Sequence, residues 1–380
     1  MRTFICYPFP MQHYLALVCL LLLMHSPLFA KKYSFSEFFN LEFSKPIPSY
    51  SGPSDFHQPG KILAELKDRE KKAWEPLKKE LDAFSEEKAL ALKINSNFNP
   101  LEDTAPYREI RAFARFMALN SLHNIKNGRA EIGLSGLKAI IVIAGKLAMT
   151  RNIPLLAQMI GLALYGIVSQ AAMGSLIDSE FFNRDSAEGK KILNILSNWP
   201  EIPYFLEKMA DNELNFGKTL KKKYLDGKGM FPISRDVLEH GIKELEWFYK
   251  ILKTVLRQKN AQKTIKAMSI FERSVNSKAG IFFTSILPKY AVPNMMRASS
   301  QYWSKIAKGR AIRILARWKK GERNLETLAT NDPFSADGKS PLIIKVEGSK
   351  LQKIYSVFRN AIDDGGIKDK DLILFPEKKR

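Results

Sequence analysis

Between residues 107 and 177 apolar positions recur every three or four residues, the spacing of helices with one buried face. In YREIRAFARFMALNSLHNIKNG, Ile110, Phe113, Ala114, Met117 and Ala118 fall on one side, which predicts a helix that stops at the NGRA break. EIGLSGLKAIIVIAGKLAM predicts a second helix, crowded with small residues that let backbones approach closely. TRNIP interrupts the pattern, and LLAQMIGLALYGIVSQAAMGSLI predicts a third. That third stretch is long and apolar enough to raise the question of a membrane span. Gln158 and Gln170 interrupt it and its neighbours are apolar too, so a buried core helix is expected.

On either side the pattern is less regular. Residues 31–60 are rich in Phe, Ser and Pro and end in SYSGPSDFHQPG, which reads as a linker or a wrapping arm. From Lys61 to Asn95 the chain is charged and helical, with Leu63, Leu66 and Trp74 forming an apolar side. Pro76 marks the start of a further helix with the stripe Leu77, Leu81 and Phe84. Beyond Phe181 helices continue, and NWPEIPYF, DGKGMFPIS and LPKYAVP read as proline-punctuated turns. In ASSQYWSKIAKGRAIRILARWKKGER, Trp303, Ile306, Ala307, Ile314, Leu315 and Trp318 share one broad face, into which Arg310 intrudes. Lysines and arginines crowd the remainder, so this helix either seats its apolar face in the core, or lies on anionic lipid or docks an acidic partner. After Arg323, DPFSADGKSPLIIKVEGSKLQKIYSVF alternates like two strands around a tight turn, and an apolar strand-like run closes the chain. The expected divisions are a leader over 1–30, a linker over 31–60, a helical-hairpin body over 61–295, and a long helix with a small β tail over 296–380.

The helix–short turn–helix layout of the body resembles a tetratricopeptide-like hairpin array, without the strict repeat consensus. The expected fold class is therefore mainly α, with a small C-terminal α+β hairpin tail. The first residues point to where the protein works. Arg2 precedes an apolar run from Tyr14 to Met24, followed by Pro27, Ala30 and two lysines. Such a run is too short to cross a hydrocarbon core of about 30 Å, which takes roughly 20 helical residues. It suits a signal peptide cut near Ala30, or a signal anchor if Leu28 and Phe29 extend it, and predicts export to the periplasm or cell envelope. Both cysteines, Cys6 and Cys19, lie in that leader, so the body is expected to carry no disulfide, thiolate nucleophile or cysteine-ligated metal. With 60 Lys and Arg against 39 Asp and Glu, the formal charge is +21. Export turns that charge away from nucleic acid and towards an anionic envelope surface or an acidic protein partner.

Familiar active-site patterns fail on particular residues. NELNFGKT, residues 212–219, ends like a phosphate loop but has Asn212 where the first glycine must be. GLSGL around Ser135 lacks the spacing of a nucleophile elbow. Asp236, His240 and Glu244 stand four apart and could line a helix face as metal ligands or serve a hydrolase acting on envelope polymers; a solvated helix surface is the plainer reading. His57 and His123 have no evident acid or nucleophile beside them. The richest chemistry lies in NAIDDGGIKDKDLILFP, residues 360–376. Asp363, Asp364, Asp369 and Asp371 offer hard oxygen ligands suited to calcium, and Gly365 and Gly366 let the backbone turn. Lys368 and Lys370 interleave with them, so a solvated turn between strands accounts for the same residues.

Residues from Met296 to the end resemble the exported part of type II secretion major pseudopilins. The matching pieces are the helix through Trp318, Asp332-Pro333, Gly338 and Pro341, then Tyr355-Ser356 and the closing turn from Asn360 to Asp371. The resemblance implies a calcium-binding loop at Asn360, Asp363, Asp364, Asp369 and Asp371. Phe358 and Ala361 stand where that family has glycine, Asn360 where it has aspartate, and no Gly-Phe-x-x-x-Glu processing site opens the leader, so the chain is not itself a pilin. The whole layout is similar to exported bacterial proteins that join a helical-hairpin body to such a tail. The function expected is a non-enzymatic binding or scaffold module of the envelope with a protein partner, or an accessory part of a secretion or pilus-like assembly.

Overall fold

The computed structural model describes residues 31–375 except 33, 42, 44–45, 51–55, 57, 96–102, 105, 152, 154, 179, 226–234, 258, 279–285 and 368–369. The leader, the DGKGMFPIS turn, His57 and Asp369 lie outside the described residues. A short parallel pair joins β1 (Lys31–Lys32) to β2 (Asp103–Thr104). Between them, α1 (Phe35–Phe39) begins with a capping box in which Ser34 and Glu37 satisfy each other's backbone N–H groups. Its three phenylalanines are buried, and Phe35 meets the Phe113 ring at 4.9 Å. This part of the chain wraps the body. Four short helices follow: α2 (Pro59–Ala64), α3 (Asp68–Trp74), α4 (Lys78–Ala83) and α5 (Glu86–Ala91). Pro76 sits in a tight turn just ahead of α4, and Leu77, Leu81 and Phe84 are buried as their stripe requires.

The centre consists of α6 (Tyr107–Lys126), α7 (Ala130–Met149) and α8 (Leu155–Ile177), packed against one another. The five apolar positions read on α6 are all buried. Glycine sets how closely α7 and α8 approach. A Cβ on Gly161 would lie 2.7 Å from the Ala144 carbonyl oxygen, backbone that has no rotamer to yield. Both α7 and α8 have the length and apolarity of a membrane span, and both are mostly buried among their neighbours. Gln158, one of the polar breaks in α8, is fully buried and donates to the Ala148 carbonyl at 3.0 Å.

The remaining helices are α9 (Ala187–Ser197), α10 (Leu206–Leu225), α11 (Arg235–Leu256), α12 (Ala261–Lys278) and α13 (Ile286–Lys319). NWPEIPYF is the non-helical link between α9 and α10. Lys253 donates to both carboxylate oxygens of Asp211, at 2.7 and 2.8 Å, tying α11 to α10. LPKYAVP is not a turn: α13 runs through it. Pro288 falls in the first helical turn, where an N–H would have no intrahelical partner, so only Pro293 forfeits a bond.

Further along α13 the choice between core and lipid resolves towards the core. Trp303, Ile306, Ala307, Ile314, Leu315 and Trp318 are all buried against α8, α9 and the neighbouring segments. Arg310 reaches the Glu201 carboxylate at 2.9 Å and the Asn331 carbonyl at 2.6 Å, and Arg313 shares Glu201. Burial works to raise the Glu201 carboxyl, but the hydrogen bonds and charges of Arg310 and Arg313 outweigh it and hold the group below the usual range. After α14 (Leu325–Leu328) the tail forms an antiparallel sheet in the order β3-β4-β5. Its strands are β3 (Ile343–Glu347), β4 (Lys350–Ser356) and β5 (Leu372–Phe375). The chain is thus mainly helical with a small C-terminal antiparallel sheet.

Two outcomes follow. Gly161→Ala should lower stability by about 2 kcal/mol in urea unfolding, although helix propensity alone would raise it by about 1; a gain would refute the close approach. Glu201→Gln should cost about 2 kcal/mol at neutral pH. Because the folded carboxyl titrates below its unfolded value, this contribution is present above the unfolded pKa and is lost as pH falls through the folded one. The two urea midpoints should therefore converge in acid, and curves that stay parallel would contradict the pairing with Arg310 and Arg313.

Candidate functional site

The acidic turn is built on a tail fixed firmly to the helices. Asp332, almost completely buried, accepts from the Phe334 N–H at 2.9 Å, the Ser356 hydroxyl at 2.7 Å and the Val357 N–H at 2.9 Å. It thereby joins the 331–341 loop to the end of β4. Burial raises its carboxyl above the usual range in spite of these donors. From α12, Gln262 donates to the carbonyls of Phe334 at 2.8 Å and Phe358 at 2.6 Å. Arg359 donates to the Ser300 hydroxyl on α13 at 2.9 Å. These contacts bridge sequence separations that no local pattern reveals.

Each described carboxylate of the turn has a defined set of partners. Asp363 accepts from the Tyr355 hydroxyl at 2.9 Å and the Gly365 N–H at 2.8 Å. Burial and the Asp363 carboxylate together push the Tyr355 hydroxyl well above its ordinary pKa. Asp364 accepts from the Asn360 amide at 2.6 Å and faces Lys370 at 3.5 Å. One oxygen of Asp371 accepts from the N–H groups of Gly366 at 2.7 Å and Ile367 at 3.2 Å. Its other oxygen, Oδ1, is buried and has no hydrogen-bond partner among the described residues. The carbonyls of the glycine pair accept from Lys345 at 2.9 Å and Lys353 at 3.0 Å. Those two lysines face each other across β3 and β4, an unfavourable like-charge pairing that the shared turn carbonyls offset.

The turn requires left-handed backbone at Phe358 (φ 51°) and Ala361 (φ 57°), neither of them glycine. Phe358 recovers part of that strain by packing on the Phe334 ring at 5.1 Å. At the surface, Ile362 and Ile367 bracket the carboxylates and are 60% and 52% exposed.

Of the predicted ligand set, the structure brings Asn360, Asp363, Asp364 and Asp371 into one turn, with Asp369 outside the described residues. Among the described residues no three acidic, histidine or cysteine side chains form a cluster able to hold a metal. The donor chemistry nevertheless fits calcium, being all oxygen and, apart from Asn360, anionic, with the orphaned Asp371 Oδ1 in want of a cation or donor. The lysine and backbone contacts that brace the turn went unrecognised in the sequence; the visible sign was the facing of Lys345 and Lys353.

The other sequence candidates lie elsewhere. Asp236, His240 and Glu244 are all carried by α11, and their side chains are outside the described residues. His123 lies edge-on to Trp74 at 4.9 Å, and burial, Lys78 and Arg129 disfavour its protonation. Ser135 accepts from the Glu86 N–H at 3.1 Å at the start of α5. Residues 212–219 are helical within α10, so the backbone there cannot wrap a phosphate.

Ala361→Gly should raise stability by up to about 1 kcal/mol, since the cost of left-handed alanine exceeds the entropy that glycine adds to the unfolded chain. A loss on thermal unfolding would show that the turn is built differently. No protein-family model, characterised protein or solved structure matches the chain.

Proposed function

We propose that this chain is an exported, non-enzymatic binding module, in which a tetratricopeptide-like helical body supports a pseudopilin-like tail whose acidic turn meets a protein partner. The observation that carries this reading is a braced turn that exposes two isoleucines. Ile362 and Ile367 stand in solvent while Tyr355, Lys345, Lys353 and the Asp371 carboxylate hold the backbone between them. Covering one isoleucine is worth roughly 1.5–3 kcal/mol. A turn already ordered loses little entropy when a partner does so. The leader reading from Arg2 through Ala30 supports export.

Calcium fits this proposal as a structural ion. Asn360, Asp363, Asp364, Asp369 and Asp371 would hold it, and it would supply divalent charge against carboxylates that repel one another. A second reading, an accessory part of a secretion or pilus-like assembly, is favoured by Phe358 and Ala361. Both adopt left-handed backbone at the two places where the resemblance expects glycine.

A photo-crosslinking residue at position 360 should give protein adducts in the exported fraction. Ile362→Ser/Ile367→Ser should weaken that association roughly tenfold or more. Adducts unchanged by the double substitution would remove the turn as the contact point. Calcium should raise the melting temperature and chelator lower it, with the response gone in Asp363→Ala/Asp364→Ala. A full response in that variant would eliminate the ion from this turn.

A further inference from the structure

The outer side of α11 exposes a tryptophan together with apolar and basic side chains. Lys243, Trp247, Lys250, Ile251 and Thr254 recur three or four residues apart on one side of the helix, and all are exposed. Tyr249, Leu252 and Leu256 on the opposite side are buried, so the core already has its apolar face and does not account for Trp247 or Ile251. Five tryptophans occur in the chain; four are at most 6% exposed, whereas Trp247 is 58% exposed. The pattern repeats on α12, where exposed Ile270 sits among Lys263, Lys266 and Arg273. From Leu206 to Lys278 the sequence carries 16 lysines and arginines against nine acids, an excess of seven positive charges. Among those acids, Glu246 is matched by Lys218 of α10 at 2.9 Å.

We propose that the outer face of α11, centred on Trp247 and Ile251 between Lys243 and Lys250, docks peripherally on an anionic lipid bilayer. Tryptophan partitions to the boundary between headgroup and acyl chain, with its apolar body inward and its N–H towards water. Isoleucine gains from the acyl region, and each lysine near an anionic surface adds electrostatic attraction. Nucleic acid would also attract the basic residues and stack on Trp247, but it offers nothing apolar to Ile251 or Ile270. This surface, not the basic side of α13, is the membrane-facing part of the chain. The inference is independent of the acidic turn.

Trp247 itself reports the outcome, because it is the tryptophan open to an aqueous quencher. The full chain should float with phosphatidylcholine vesicles that contain phosphatidylglycerol and not with phosphatidylcholine alone, and added salt should release it. On binding, the iodide-quenchable fraction of tryptophan fluorescence should disappear, and brominated acyl chains should quench in its place. Trp247→Phe should abolish both signals. Lys243→Glu/Lys250→Glu should weaken flotation roughly tenfold or more, and Trp247→Ser/Ile251→Ser should weaken it while leaving thermal unfolding unchanged. Failure to float, flotation unaffected by both pairs of substitutions, or flotation with Trp247 still open to iodide would each overturn the proposal. So would protection of Trp247 by a single-stranded oligonucleotide or by self-association at high concentration without lipid.

Discussion

Everything in this fold depends on how closely α7 and α8 approach. At Gly161 the helix backbones come within a distance that excludes even a methyl group, and the small residues around it are what make α6, α7 and α8 a single block. Dispersion and dehydration act on dense contact, so a spacing one methyl wider would loosen the neighbouring side chains as well. The wrapping arm, α9 and α13 all rest on that block. The apolarity of α7 and α8, which by itself fits a membrane span, goes mostly into contacts inside the fold.

Charge is the second organising problem. A chain with a formal charge of +21 must keep its cations solvated or matched, and the interior positions are matched by few acids. Glu201 serves two arginines of α13, Asp211 takes Lys253, and Asp82 is bound by Asn120, Asn124 and Arg129. Lys305 is the exception: burial holds its amine below the ordinary value, and no carboxylate among the described residues compensates for it. Across α10 to α12, where cations outnumber acids, lysines and arginines stand at the surface with apolar side chains among them, and that arrangement is the basis of the lipid proposal.

The tail shows the same economy in miniature. Its carboxylates accept from backbone N–H groups, a tyrosine hydroxyl and an asparagine amide, with Lys370 beside Asp364, while its isoleucines stand in solvent. Asp332 lies beneath the turn as a buried anchor, and Gln262 and Arg359 lock the tail to α12 and α13. The turn therefore presents its surface from a fixed position, as a docking element needs to do.

The periodicity alone settled which segments are helices and which faces they bury. Ile110, Phe113, Met117, Leu77, Leu81, Trp303 and Ile314 all lie inside, because a three-to-four residue repeat can be satisfied only by one covered face. The strand alternation after Arg323 was legible for the same reason, and the acidic turn was visible as a cluster of like residues. LPKYAVP was misread because Pro288 falls in the first helical turn, where it costs no bond, and the long helix runs on past the one bond that Pro293 forfeits. The fate of Arg310 and Gln158, the anchoring of Asp332 and the exposure of Trp247, Ile362 and Ile367 were beyond reach. A helix repeat shows that a residue shares a face, but Glu201 meets Arg310 from 109 residues away, and only tertiary packing decides which faces receive such partners and which are left to solvent.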